Sequence, residues 1–547
     1  MTDHPPGLAG LLTEQGIDAP RIHLVLAALS DGAWWTPREL VRATTVAHRL
    51  VDATLTALGA GLEHNGDRVR LVRPGDYAGF ARPAPADPLA PLLAGHADAA
   101  AELRRLVDEA PPPLADLDHV TATADTALRR GVHLATRFAL PGARLLCVGD
   151  HDLTSLATTL VSPGAEAVVV DIDERMLDYI DRAADRLGLP VACHFADLRL
   201  GLPASVARSC DLVFTDPPYT PEGVELFVRR GLEGLTDPRR GRILVAYGAS
   251  ETTPGLVART QARLARMNLV FEAVLPDFNR YLGAEAIGAA SDLYVLRPTT
   301  RTPAAATGGG AAAARVYSQG ANAKEATGGL GEAGARAVVE AATPDTVAGA
   351  WPRDAVPEGV LRVDLADWMA APTEAGCAAV DLTGGWDALL GRAVLAGAAG
   401  ETHVVVASRA PQVRDAAGQQ ALRAMLEPRF ELRFLRNTPG PRGTVVVAQL
   451  TDRGATAPED RLLWHCQDRA HGSLPATLRE GLIAIAAESG RPVNKKTART
   501  RVAAEVPWAS GHTLLDLPAH RFPALREAAR RLVGGLAEPA EVADAAD

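Results

Sequence analysis

The chain has 547 residues, 22% of them charged and 47% hydrophobic, with a formal net charge of −10. That length exceeds one ordinary core, so three or four modules are expected, and the mild acidity argues against bulk nucleic-acid binding while suiting a cationic substrate. Five scattered cysteines without a Cys-x-x-Cys pair argue against a zinc module or a disulfide framework. The chain shows no basic-then-apolar leader and no long uncharged apolar run, so a cytoplasmic protein with no membrane partner is expected.

Residues 1–16 read as a tail. Ala19 to Leu29 predicts an amphipathic helix with Ile22, Leu26 and Leu29 on one face. Thr36-Pro-Arg-Glu39 opens a second helix, with Thr36 as cap, Pro37 at the first position and Glu39 closing a capping box. Val46 to Leu58 predicts a third helix, and Gly61 to Val72 a hairpin around Asn65-Gly66. Three short helices and a hairpin over 17–75 make the winged-helix pattern. Such modules bind DNA, but the third helix offers only His48 and Arg49, and phosphate contacts need several Lys or Arg. A dimerisation or substrate-gating role is the favoured reading, and nucleic acid is not an expected partner. Residues 76–117 read as a connector with one helix near Ala99 to Val107. Leu117 to Leu128 then leads into a helix ending near Phe138 that could cover a cofactor.

From Ala143 strand and helix alternate, which implies a parallel sheet with crossover helices. Strands are expected at Arg144 to Val148, Ala167 to Asp171, Val191 to Phe195, Leu212 to Thr215, Arg242 to Tyr247, Leu269 to Leu275 and Leu293 to Leu296. This α/β pattern over 118–298 predicts a Rossmann-like seven-stranded sheet in the layout of class I S-adenosylmethionine-dependent transferases. Residues 299–335 are rich in Ala and Gly and read as a linker. A second α/β domain is expected over 336–455, with strands near Cys377 to Asp381, Thr402 to Ala407 and Thr444 to Gln449. Its lone Gly384-Gly385 pair is a weak nucleotide signal, so a degenerate duplicate with a structural role is favoured. Residues 456–547 read as helical, and the basic run Asn494 to Arg501 as a solvated face.

The chemistry concentrates at strand ends, where open α/β sheets bind ligands. The first strand stops at Gly149 and turns through Asp150-His151-Asp152 into a helix that Asp152 can cap. Turns at this place are usually glycine-rich and receive anions; an acidic turn repels an anion and welcomes a cation. Asp171 ends the second strand, where an acid bonds ribose hydroxyls, and Asp173 reads as the next helix cap. Ala196-Asp197-Leu198-Arg199 follows the third strand, where an acid can accept from an adenine amine. Asp216-Pro217-Pro218-Tyr219 follows the fourth. Its prolines fix a loop whose carboxylate and carbonyls can hold amine N–H groups, with Tyr219 stacked on a cationic centre. Taken singly, Asp152 and Asp173 are caps, Asp171 a turn residue and His151 a loop residue. Four pieces in order, each after its own strand, point to a nucleoside-sulfonium transferase acting on an amine.

Gly149-Asp-His-Asp-Leu-Thr-Ser155, Val170-Asp-Ile-Asp-Glu-Arg175, Ala196-Asp-Leu-Arg199, Thr215-Asp-Pro-Pro218, Asp277-Phe-Asn-Arg-Tyr281 and Ser291-Asp-Leu-Tyr294 together resemble the branched-chain polyamine synthase family. The resemblance implies decarboxylated S-adenosylmethionine as co-substrate, a spermidine-like acceptor, no metal and a homodimer. The family's catalytic acid, the last Asp of Gly-Asp-Asp-Asp, falls on Asp152, and His151 stands where the family has Asp. It implies a catalytic role for Asp152, Asp216 and Tyr219. Gly149, Asp150, Asp171, Asp173, Asp197 and Leu198 would face the donor. Asp152, Asp216, Pro217, Pro218, Asn279 and Tyr281 would face the polyamine. Two aspartates at the turn oppose the carboxylate of ordinary S-adenosylmethionine and favour the ammonium tail of the decarboxylated form. Two rivals remain. One is an amino-methyltransferase for DNA, RNA or protein, which the acidic turn opposes. The other is a polyamine-sensing DNA-binding regulator, which an intact Asp152, Asp171 and Asp216 oppose.

Overall fold

The computed structural model describes residues 5–82, 86–249, 253–303, 316–317, 328–451 and 457–536. Residues 1–4, most of 299–335, residues 452–456 and residues 537–547 of the expected segments lie outside them.

The expected tail is instead a helix, Pro6–Gln15. Pro6 sets the first turn, and Leu8 is fully buried against a cluster with Ile22, Val25 and Leu26. Helices Ala19–Leu29, Pro37–Thr44 and His48–Leu58 follow, then a hairpin of β1 (Leu62–Asn65) and β2 (Arg68–Leu71) turning at Gly66 with φ 66°. Trp35 bridges Val69 and adds a third short edge. Thr36 and Glu39 form the reciprocal capping box. The basic residues of helix Pro37–Thr44 bond a neighbouring loop of the same chain. Arg38 Nε lies 2.6 Å from Glu285, and Arg42 Nη2 bonds Glu285 at 3.2 Å and the Leu282 carbonyl at 2.6 Å. Gly288, at φ 83°, passes so close to Thr45 that a Cβ would sit 2.3 Å from its carbonyl oxygen.

The first large sheet has the order β5-β4-β3-β6-β7-β9-β8. Its strands are β3 (Arg144–Val148), β4 (Glu166–Asp171), β5 (Val191–Phe195), β6 (Leu212–Thr215), β7 (Arg242–Tyr247), β8 (Leu269–Arg280) and β9 (Ala290–Pro298). Strands β3 to β7 are parallel, and β9 runs antiparallel to both of its neighbours, β7 and β8. The inner strands are apolar on both faces because helices cover both sides. Strand order reverses between β3 and β6, so their carboxyl ends open a crevice. Strand β8 runs five residues beyond the expected end at Leu275. A register shift between Leu275 and Asn279 absorbs Pro276, Asp277 takes φ 50°, and the strand resumes with Asn279 and Arg280.

The second sheet has the order β11-β10-β12-β13-β15-β14. Its strands are β10 (Thr346–Ala348), β11 (Leu361–Val363), β12 (Glu374–Asp381), β13 (Ala398–Ala407), β14 (Phe430–Arg436) and β15 (Gly443–Leu450). Order and direction repeat the first sheet with its outermost strand β5 removed. Helices Pro458–Asp468, Leu474–Glu488, Lys495–Glu505 and Arg521–Gly534 close the described chain. One apolar cluster runs through both sheets' helical layers and these helices. The free edge of β5 is covered: Phe195 N donates to the Asp516 carbonyl at 2.8 Å, and His512 Nε2 lies 2.9 Å from the Cys193 carbonyl.

Leu8→Ala is expected to cost about 2–5 kcal/mol in urea denaturation, where a disordered tail would give no change.

Candidate active site

The turn after β3 differs from its expected capping. Leu153, not Asp152, sits at the helix start, with φ 59°. That left-handed residue lengthens the turn, so the cap comes from Asp150: its two oxygens accept Thr154 N at 2.8 Å and Ser155 N at 3.1 Å. Asp152 is thereby released from the helix end and points inward. One of its oxygens accepts Ala122 N at 2.9 Å and the other Arg130 Nη1 at 2.9 Å. Gly149 supplies the bend at φ 70°, and a Cβ there would press on the Phe227 ring at 3.4 Å.

Arg130 is the centre of the site and was not foreseen. It lies on helix Ala124–Arg137 with no solvent exposure. Gly131 beside it lets the helix press on helix Thr154–Val161, since a Cβ would sit 2.8 Å from the Ala157 carbonyl oxygen. The guanidinium lies over the Phe214 ring, 4.8 Å from its centroid. Its five N–H donors meet five acceptors: Asn279 Oδ1 from Nε at 2.8 Å, Asp152 at 2.9 Å and Thr154 Oγ1 at 3.3 Å from Nη1, Asp216 at 2.6 Å and the Tyr281 hydroxyl at 3.3 Å from Nη2.

Asp216 accepts from three groups in all. The Tyr281 hydroxyl donates to the oxygen that Arg130 reaches, at 2.7 Å, and the Tyr219 hydroxyl to the other, at 3.0 Å. Tyr281 also touches Ser291 Oγ at 2.7 Å and Tyr219 at 2.9 Å, which fixes both rings.

Burial sets the electrostatics. It disfavours the charge on Arg130, but Asp152 and Asp216 outweigh it and raise the guanidinium's pKa. Burial also works against the Asp152 carboxylate, and Arg130 overrides it and holds this group low. Asp216 is pushed up to about 7 by burial and by the Asp152 charge. Two carboxylates around one cation cannot both ionise freely. Asp150 is likewise pushed up to about 7 by burial, and burial raises Asp171.

A cavity of about 390 Å³ lies at these strand ends. Gly149, Asp150, Asp152, Asp171, Leu198, Asp216, Pro217, Pro218, Tyr219 and Tyr281 all line it, which gathers the four sequence segments into one place. Three expected residues do not line it. Asp173 caps helix Glu174–Leu187 and pairs with Arg175 at 2.7 Å. Asp197 turns both oxygens to Arg199, at 2.9 and 2.5 Å. Asn279 is fully buried and orients Arg130, with its Nδ2 on Ser291 Oγ at 3.0 Å.

His151 has neighbours that the sequence did not disclose. Its ring stacks on His119 at 4.5 Å, and Nε2 lies 3.3 Å from Thr121 Oγ1. Burial lowers both imidazoles, so a neutral stacked pair stands where the acidic turn was expected to continue. Ala284, Ala286 and Ile287 form another wall, on the loop held by Arg38 and Arg42. Val316 and Tyr317 complete it, and the Val316 carbonyl accepts Thr220 Oγ1 at 2.6 Å. Of these, only Arg130 left a trace in the sequence, through Gly131: glycine inside a helix marks a close approach.

Two other clusters, His194–His512–Asp516 and Cys377–Glu401–His403, have the donor atoms of a metal site, and neither lines the cavity. Among the described residues no helix is long and apolar enough to cross a membrane.

Residues 98–304 match the family model of the branched-chain polyamine synthase A C-terminal domain. This part of the chain is thus similar to the branched-chain polyamine synthase family. The synthase-type segment is 37% identical over 177 residues to an uncharacterized protein of Methanocaldococcus jannaschii, covering 32% of this chain and 44% of that one. It is 39% identical over 128 residues to the N4-bis(aminopropyl)spermidine synthase of Thermus thermophilus, covering 23% of this chain and 37% of the relative. The chain thus spans less than half the length of these two curated relatives. A crystal structure of the Thermus thermophilus branched-chain polyamine synthase with N4-aminopropylspermidine and 5′-methylthioadenosine aligns at 23% identity and a TM-score of 0.43, over 58% of this chain and 98% of that one. The synthase-type match ends before the second sheet begins.

Arg130→Ala leaves two buried carboxylates facing each other and is expected to cost about 3–5 kcal/mol in calorimetric unfolding. Adding Asp216→Asn to that variant removes one stranded charge and should recover part of the loss.

Proposed function

We propose that this cavity transfers the aminopropyl group of decarboxylated S-adenosylmethionine to a nitrogen of a spermidine-like polyamine, giving a branched polyamine and methylthioadenosine. The observation that carries the reading is the Asp152–Arg130–Asp216 cluster at the mouth of the β3/β6 crevice, with Asp171 and Leu198 beside it. The names of the curated relatives support the substrate class.

Asp171 and Leu198 would receive the ribose and adenine of the donor, with the bend at Gly149 giving the nucleoside room. The expected donor role of Asp150 becomes one of position, since its oxygens hold the helix start. Asp197 and Asp173 would act through the loops they brace. Asp152 and Asp216 would receive the acceptor. A carboxylate has about four lone-pair sites. Asp152 uses two and Asp216 three of these on protein groups. The remaining sites can take N–H groups of one secondary amine and aim its lone pair. The Pro217 and Pro218 nitrogens carry no hydrogen, so this loop presents acceptors toward the amine.

The acceptor amine is protonated at neutral pH and must shed a proton before attack. Asp216, with its raised pKa, is suited to take it. The nitrogen lone pair then forms the C–N bond to the propyl carbon, and the C–S pair returns to sulfur, leaving a neutral thioether. Tyr219 would stand against the sulfonium before it is discharged. Positioning supplies most of the acceleration, because a sulfonium is already a good leaving group.

The rival amino-methyltransferase would need a partner for the methionine carboxylate. Arg130 touches both Asp152 and Asp216, and all five of its donors are committed to protein groups. The N-terminal unit fits a winged-helix module by its order of helices and hairpin. We read its task as bracing the cavity loop, because Arg38 and Arg42 are engaged with that loop rather than free for phosphates.

Calorimetric titration with decarboxylated and ordinary S-adenosylmethionine tests the reading. Tighter binding of the decarboxylated form, lost in Asp152→Asn, is expected, with acceptors then identified by product mass. Preference for the ordinary form would overturn it in favour of methyl transfer. Turnover should rise with pH as Asp216 loses its proton near 7. It should be lost as pH falls through that value, because a protonated carboxyl cannot take the amine proton. Asp216→Asn should remove this step from the pH–rate profile.

A further inference from the structure

From the contact between Trp386 and Arg199, we infer that the second α/β domain is a cis-acting brace for the donor nucleoside site, with Trp386 as its positioning residue. The inference rests on the adenosine placement proposed above.

The two sheets correspond strand by strand, so the turn after β12 stands where Asp216–Tyr219 stands after β6. In the first domain that place borders an open cavity. In the second it is closed: a Cβ on Gly349, after β10, would lie 2.7 Å from the Asp381 carbonyl oxygen. The Asp381 side chain is buried and occupied by Thr383, whose N and Oγ1 donate at 2.9 and 2.6 Å. The loop that follows has become a docking surface. Gly385 presents its carbonyl to Arg199 Nη2 at 2.7 Å, and the Trp386 ring lies under the Arg199 guanidinium, 3.7 Å from centroid to Cζ.

Arg199 is the lever. It is almost fully buried, it grips both oxygens of Asp197, and it follows Leu198, which lines the cavity. A cation taken out of water needs partners on every side. Asp197 supplies one side; Trp386 and Gly385, from nearly two hundred residues away, supply another. The neighbouring donor loop is held from the same half of the chain. Glu174, three residues after Asp171, takes Arg392 Nη2 at 2.6 Å and Ala519 N at 2.9 Å. Arg392 also lies 3.4 Å over the Phe195 ring. Both acid-bearing loops assigned to the nucleoside are therefore braced by residues beyond the synthase-type match, whereas the polyamine side of the cavity is braced by the N-terminal unit.

The test uses the full chain and 5′-methylthioadenosine, which carries the adenosine of either sulfonium donor without its tail. Trp386→Ala should weaken its binding by roughly ten-fold or more. It should raise the donor KM alike, and leave kcat at saturating donor and the acceptor KM unchanged. Trp386→Phe, which keeps a ring under the guanidinium, should restore most of the affinity. Amide exchange at Leu198 and Leu200 should speed up in Trp386→Ala and not in Trp386→Phe, a readout that holds even if both variants melt early. Wild-type affinity in Trp386→Ala would overturn the inference. So would an equal loss of donor and acceptor binding, which marks general destabilisation. A wild-type preference for ordinary S-adenosylmethionine would overturn aminopropyl transfer while leaving the brace standing on the 5′-methylthioadenosine result. Failure of the wild type to bind 5′-methylthioadenosine would overturn both.

Discussion

The site depends on one buried cation. Arg130 brings two carboxylates from different strand ends to a single guanidinium, and each of the three groups would be costly to bury alone. Its planar fork fits this task in a way a lysine ammonium would not, because the acceptors lie in several directions around one plane. Helix Ala124–Arg137 carries it, and the turn after β3, the loop after β6 and the late extension of β8 place acceptors on it. The geometry of the crevice follows from satisfying that one side chain.

Two flanking units then stabilise opposite walls. The N-terminal helices spend their basic residues on Glu285 and the Leu282 carbonyl, next to Ala284–Ile287 of the cavity. The second α/β domain and the C-terminal helices hold the loops after β4 and β5 through Arg392, Ala519, Trp386 and Asp516. Loops that bind ligands are ordinarily the least stable parts of a fold. Here they are fastened by ion pairs to the flanking units and by backbone pairing to the edge of β5. The cavity wall from Ala284 to Tyr281 and the wall from Asp171 to Leu198 thus answer to different domains.

Strand positions were readable because their signals are local. Leu145 to Val148 and Ala167 to Val170 are unbroken apolar runs with polar residues at each end, so their limits show in the sequence. The extension of β8 was not readable, since Pro276 ordinarily ends a strand and only the register shift against β9 carries the chain past it. Helix Pro6–Gln15 carries Leu8, Leu11 and Leu12, but Gly7 and Gly10 weaken its helical signal, and its fold comes from the surface that Leu8 fills. The four strand-end segments were visible because each carries its own acid. The cap was misplaced because Asp150 and Asp152 both have capping chemistry, and only the left-handed Leu153 decides between them. Arg130 was hidden for a different reason: its partners lie 22, 86 and 149 residues away, and no spacing rule reaches that far.

The turn offers less negative charge than its sequence suggests. Asp150 is tied to the helix start with its pKa pushed up to about 7, and Arg130 cancels one of the two charges of Asp152 and Asp216. His151 and His119 are held toward the neutral form. What remains at neutral pH is one shared titration centred on Asp216 rather than a fixed anionic patch. On the proposed reaction, discrimination against a carboxylate tail would come from two unequal sources. One is the absence of a spare donor on Arg130, which holds at any pH because its five acceptors are built into the fold. The other is repulsion by the pair of aspartates, which grows as Asp216 ionises. A cationic tail or a protonated amine entering the cavity favours that ionised form by the same Coulomb term. On the proposed reaction, binding of the cationic substrate and activation of the base would be one event, carried by the same carboxylate.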